Sequence, residues 1–142
     1  MPYSFTSLSL ADARSALDAG LAVAEALGVP CSIAIVEASG QLIGFARPDK
    51  AMLGSAELAI NKAFTAAIFQ NSTEAIGRLA TPGAELYGIQ NSHAGRVVIF
   101  GGGIPILIGG KVVGAIGVSG GTVAQDIEIA NAAQANLPSV RL

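Results

Sequence analysis

Apolar residues recur at helical spacing over 9–27, at Leu10, Ala13, Leu17, Leu21, Ala24 and Leu27. Ser9 with Asp12 three residues on is a helix-capping arrangement, and Gly28 and Pro30 stop the pattern. Asp12, Arg14, Asp18 and Glu25 fall on the solvated side of this helix. The pattern then changes to a β-branched run over 31–38, a Ser39-Gly40 turn and a second run over 41–46, which predicts a hairpin. Helical spacing returns over 55–70, with Ser55 as N-cap. Here Ala56, Ala59, Ile60, Ala63 and Ala67 form one apolar face, while Leu58, Thr65 and Phe69, together with Lys62, form another. A helix apolar on two sides is sandwiched between layers or between subunits.

Asn71-Ser72-Thr73 caps a short helix that ends at Leu79. No period is visible over 80–95, which holds Pro82, Gly83, Gly88, His93 and Gly95; an irregular stretch of that length is commonly a binding loop or a lid. Residues 96–100 read as a strand leading into the triple glycine 101–103. The apolar runs 104–108 and 112–118 flank Gly109-Gly110, a pair able to form a tight primed hairpin turn. A final helix over 123–136 carries Ala124, Ile127, Ala130 and Ala133 at helical spacing, and Pro138 ends it. The five predicted strands are joined by short turns, so the sheet should be mainly antiparallel. With helices packed on it, the expected fold is α+β, one domain over 1–142.

Composition adds a constraint on assembly. Hydrophobic residues make up 51% of the chain and charged residues 13%, more apolar surface than a monomer needs to bury. No run is long enough to span a membrane without charge or glycine, and Met1-Pro2-Tyr3-Ser4 does not begin a signal peptide. The expectation is a cytoplasmic homo-oligomer. A net charge of −2 without a basic patch argues against nucleic-acid binding. The single cysteine, Cys31, rules out an intramolecular disulfide and reads as a small core residue; no Cys/His cluster suggests structural zinc.

Two groups of residues carry candidate chemistry. Arg47, Asn61, Lys62, Thr65, Gly102, Gly103 and Ser119-Gly120-Gly121 combine positive charge with glycine-rich turns, suited to a carboxylate, an enolate or a heme propionate. The competing account is a polar cluster that closes the fold and its subunit contact, with Lys62 snorkelling to solvent or facing a ligand or partner carboxylate. His93, the only histidine, is an axial iron ligand, a general base or a surface loop residue. Tyr87 is a phenolate ligand, a general acid or loop packing. Glu37 is a candidate base, with pairing to Arg47 across the hairpin as the structural alternative. Asp126 and Glu128 open the last helix, where acidic residues favour the positive helix end.

Three blocks together resemble the GlcG/HbpS family, also found as the C-terminal domain of PduO-type proteins. They are Ile35-Val36-Glu37-Ala38-Ser39-Gly40 with Arg47 and Asp49-Lys50-Ala51; Ala59-Ile60-Asn61-Lys62-Ala63-Phe64-Thr65-Ala66; and Gly102-Gly103-Ile104-Pro105 through the 113–121 run to Gln125-Asp126. The family usually has aspartate where Glu37 stands, and glycine near Lys50. The resemblance implies a profilin-like fold, assembly into dimers or rings, and, in some relatives, heme as ligand. Two functions follow. One is a small-molecule binding protein for heme or another carboxylated ligand, with His93 a candidate for heme iron. The other is a small-molecule enzyme of isomerase, cyclase or lyase type, using Glu37, His93 or Asp126 as base and Lys62 and Arg47 with an anion-stabilising glycine-rich pocket.

Overall fold

The computed structural model describes residues 1–135 and 137. Helix α1, Leu10–Leu27, begins at Ser9, whose hydroxyl accepts from the Asp12 amide while the Asp12 carboxylate accepts from the Ser9 amide. It ends at Gly28, which adopts the left-handed conformation (φ 70°) open to a residue without a side chain. Strands β1, Ser32–Glu37, and β2, Leu42–Ala46, form the first hairpin. Helix α2, Ser55–Ile68, is capped by Gly54, so Ser55 is its first residue rather than its cap. Helix α3, Thr73–Leu79, starts at Ser72, whose hydroxyl accepts from the Ala75 amide. Two 3₁₀ turns, Ile89–Asn91 and His93–Gly95, interrupt the long loop.

Strands β3, Gly103–Ile108, and β4, Lys111–Ser119, are joined by Gly109 and Gly110, with φ of 56° and 78°. Two consecutive positive φ angles are what a primed turn demands. Helix α4, Val123–Ala135, follows, and the predicted stop at Asn136 and Pro138 lies outside the described residues. The sheet order is β2-β1-β4-β3, antiparallel throughout.

Alternation along β1 sets the layers. Ile33 and Ile35 face a core built with α1 and α4, while Ala34 and Val36 face α2. On the α2 side almost every contact is small: Ala59, Ala63, Ala66 and Ala67 of the helix meet Ala34, Val36 and Ala115 of the sheet. The helix therefore lies close to the strands. A Cβ on Gly117 would sit 2.0 Å from the Ala59 carbonyl oxygen, so only glycine permits this approach.

The predicted fifth strand is absent: the sheet has four strands, and 96–100 forms none. This segment is buried by a different route. Its Val98 amide donates to Thr65 Oγ1 on α2, and Val97 and Val98 are shielded without a strand partner. Gly102, at φ 124°, then turns the chain before β3 begins. The apolar run was real, but burial on a helix and burial in a sheet look alike over five residues.

Candidate functional site

Lys62 occupies the middle of α2 on the side facing the ends of β4 and α4. It is completely shielded from solvent. Its ammonium donates to the Val118 carbonyl at 2.8 Å and to Asp126 Oδ2 at 3.1 Å, and lies 5.0 Å from the centre of the Phe100 ring. The other oxygen of Asp126 accepts from the Gly121 amide at 2.9 Å and faces the Cys31 thiol at 3.8 Å. Burial draws the Lys62 pKa down, and the Asp126 charge pulls part of the way back. Burial, reinforced by Asp126, pushes the Cys31 thiol up to about 11. Lys62 neither snorkels nor faces an open pocket; its counter-ion is a carboxylate of its own chain. The sequence offers Asp126 as a helix-end acid or a candidate base but does not pair it with Lys62, because the two residues are 64 apart in the chain.

The glycine turns close around the same pair. A Cβ on Gly102 would approach Lys62 Nζ to 2.7 Å. The Gly103 amide donates to Thr73 Oγ1, the Gly121 amide to Asp126, and the Gly102 carbonyl accepts from Val118. Ser119 is buried opposite Ser32, and Gly120 (φ 138°) packs on Pro30 and Cys31. Thr65 accepts from the Val98 amide and turns its hydroxyl toward the Asn61 and Arg96 carbonyls. The polar groups around Lys62, which the sequence left open between a ligand site and a cluster closing the fold, largely satisfy one another.

Asn61 belongs to a different surface. Its Oδ1 accepts from Arg96 Nε at 3.3 Å, and the Arg96 guanidinium lies 3.7 Å from the centre of the Phe64 ring. The His93 ring stands edge-on to Phe64 and Phe69, at centroid distances of 5.8 and 5.5 Å. Its Nδ1 meets Ser92 Oγ at 3.0 Å, which leaves Nε2 as the ring atom open to a ligand. His93 and Ala94 both adopt left-handed backbone, with φ of 53° and 56°. For side chains other than glycine this costs on the order of 1–2 kcal/mol per residue. The fold therefore holds this exposed imidazole in an unfavourable backbone against two aromatic rings. Arg96, Phe64 and Phe69 had no distinguishing signal in the sequence beyond their apolar or basic character.

The remaining candidates are apart from both clusters. Glu37 is held by Ser39, Gln41 and Ser7: burial alone would raise its pKa, but the Ser39 hydroxyl and the backbone amides of Gln41 and Ser39 outweigh it and bring the pKa below the usual value. Among the described residues Glu37 forms no ion pair with Arg47. Arg47 lines a cleft between α1 and the loop after β2. Tyr87 and Glu128 are exposed. No group of three or more His, Cys, Asp or Glu residues that could hold a metal ion occurs among the described residues. No helix among them is long and apolar enough to cross a membrane.

The model of a family described as "haem degrading protein HbpS-like" matches residues 8–135. The chain is 41% identical, over 89% of each sequence, to an uncharacterized 15.0 kDa protein from the dhaT-dhaS intergenic region of Citrobacter freundii. It is 42% identical to a corrinoid adenosyltransferase PduO of the same organism, with 89% of this chain aligned but only 38% of the relative's length spanned. Among solved structures it is similar to a PduOC:heme complex, with a TM-score of 0.89 and 38% identity over 92% of this chain and 95% of that one.

Proposed function

The chain belongs to the HbpS-like family, and we propose that within it this protein is a small-molecule binding protein whose ligand is heme. The observation that carries the reading is the His93 cluster: an imidazole held against Phe64 and Phe69, beside a guanidinium stacked on Phe64. The donor set fits the group. Nε2 of His93 would ligate iron, the half-buried Phe69 would meet the apolar macrocycle, and Arg96 would face a propionate, while the buried Phe64 backs both His93 and Arg96. Bound heme supplies an iron centre and two carboxylates. The protein's share is to fix the imidazole orientation through Ser92 and the guanidinium through Asn61. The buried Lys62–Asp126 pair ties α2, the helix that carries Phe64, to the start of α4. The similarity to a heme complex at 38% identity supports the same ligand.

The layering of helices on both sides of the sheet supports the profilin-like class for the fold. Met52, Leu53, Leu58, Phe100 and Val123 are large apolar side chains left exposed, and we assign them to self-association.

Titration with hemin tests the ligand. Saturable binding with a Soret band distinct from free hemin is expected. His93→Ala should shift that band, and Arg96→Ala should weaken binding with the band position kept. A spectrum of aggregated hemin alone would overturn the heme reading; a normal band in His93→Ala would remove His93 as the ligand.

A further inference from the structure

Arg47 stands at the mouth of a cleft of about 690 Å³ that the His93 cluster does not touch. The C-terminal half of α1 supplies Leu21, Ala24 and Glu25; the turn after it supplies Gly28, Val29 and Pro30; the end of β2 and the following loop supply Ala46, Arg47, Pro48, Asp49 and Lys50. The two sides differ in chemistry. Leu21, Ala24, Val29, Ala46 and Pro48 are apolar and buried or half-buried, whereas the charged Glu25, Arg47, Asp49 and Lys50 are exposed. A mainly apolar concavity of this size with a few converging polar groups is the usual form of a small-molecule site.

Among the described residues neither Arg47 nor Lys50 forms an ion pair, and Arg47 makes no side-chain hydrogen bond. An exposed guanidinium without an internal partner, beside an ammonium three residues on, offers the planar two-pronged donor that a carboxylate matches. Glu25 and Asp49 also line the cleft, so a second anionic group on the ligand would meet repulsion. No histidine, tyrosine, methionine or cysteine lines it, so the cleft has none of the usual protein ligands for heme iron. We propose that this cleft is a second binding site, taking a small monocarboxylate with an apolar body: the carboxylate on Arg47 and Lys50, the body on Leu21, Ala24, Val29 and Ala46.

Octanoate is the probe, with octanol and octylamine as the neutral and cationic counterparts of the same chain length. Calorimetric titration of the full chain should show saturable 1:1 binding of octanoate. Octanol should bind at least tenfold more weakly, and octylamine more weakly still. Arg47→Gln, a change at an exposed side chain, should cost octanoate tenfold or more while leaving octanol binding within twofold. Octanoate should also bind unchanged when hemin is already present. The proposal is overturned by any of four results: no saturable octanoate binding, equal binding of the three probes, an unaffected Arg47→Gln variant, or stoichiometric displacement of octanoate by hemin. The last would make the cleft the heme site itself, whereas failure of hemin to bind anywhere would leave the octanoate result standing.

Discussion

Lys62 reaches from α2 to the first turn of α4, where its ammonium lies 3.1 Å from Asp126 Oδ2 with neither group open to water. Charge, hydrogen bonds to Val118 and Gly121, and the ring of Phe100 all converge on this pair. Removing one partner leaves the other charged, buried and unmatched, a change that costs about 3–5 kcal/mol. Lys62→Met and Asp126→Leu should each show a loss of that order in urea denaturation. The double variant should recover a large part of it, since two apolar side chains no longer strand a charge. Single variants as stable as the parent protein would show that the pair is dispensable to the fold.

Cys31 faces the same carboxylate, and its position makes stability sensitive to alkali. Burial first, then the Asp126 charge, raises its pKa from 9.0 to about 11 in the folded chain. Between those values the unfolded chain loses the thiol proton while the folded chain keeps it. The contribution is therefore complete below pH 9 and disappears as pH rises to 11, a loss of about 2–3 kcal/mol. Lys62 acts in the opposite sense, because burial lowers its pKa in the folded state and its contribution improves as pH rises toward 10.5. Comparison with Cys31→Ala at each pH removes the part of the lysine's contribution that does not depend on the thiolate. The advantage of the parent protein over that variant should shrink by about 2–3 kcal/mol between pH 8 and pH 11.5; a constant difference would refute the raised thiol pKa.

Gly117 separates close packing from mere flexibility. Its φ is unremarkable for a strand, yet a Cβ there would meet the Ala59 carbonyl oxygen at 2.0 Å and the Ala63 amide nitrogen at 2.5 Å. Both are backbone atoms of α2, so relief requires the helix to lift from the sheet. Gly117→Ala should cost roughly 3 kcal/mol or more by denaturant unfolding. Gly54→Ala is the control, since that residue has φ −66° and nothing within 4 Å of an added Cβ; it should change stability by less than about 0.5 kcal/mol. Equal costs at the two positions would mean that the α2–sheet approach is not what Gly117 protects.

Gly117 also illustrates what the sequence could and could not convey. Periodicity located α1, both hairpins, α2 and α4, the Asn71-Ser72-Thr73 cap located α3, and local signals such as Gly28 and Gly109-Gly110 marked where elements stop or turn. A glycine inside the 112–118 run is a sign of a close neighbour, but nothing in the sequence says that the neighbour is the α2 backbone. Segment 96–100 carried the composition of a strand and folded onto Thr65 instead, a choice settled by long-range contact. The site was legible in its parts and not in its grouping. Lys62 was conspicuous as a charge on an apolar helix, whereas its partner Asp126 had an adequate local explanation as a helix-start acid. Asn61 and Lys62 are adjacent in the sequence, yet one joins Arg96 on an outer surface and the other points into the buried pair.

Self-association remains an expectation from an apolar chain with few charges, and part of the exposed apolar surface lies at one end of α2. Leu53 is 78% exposed and Met52 65%, immediately before the helix, and Leu58 lies one turn before Lys62. Phe100 covers the Lys62 ammonium from outside while keeping 43% of its own surface exposed, and a Cβ on the next residue, Gly101, would lie 3.1 Å from Val123. An interface of ordinary size would remove roughly 800 Å² per subunit from water. It would also shield Phe100 and so further exclude solvent from the Lys62–Asp126 pair behind it. Leu53→Glu combined with Leu58→Glu puts charge on this patch at exposed positions, where the folded monomer should tolerate it. Sedimentation velocity at micromolar concentration should show the parent chain as an oligomer and the double variant as a folded monomer by circular dichroism. A parent chain that sediments as a single monomeric species would sink the assembly claim, and an oligomer indifferent to both substitutions would move the interface elsewhere.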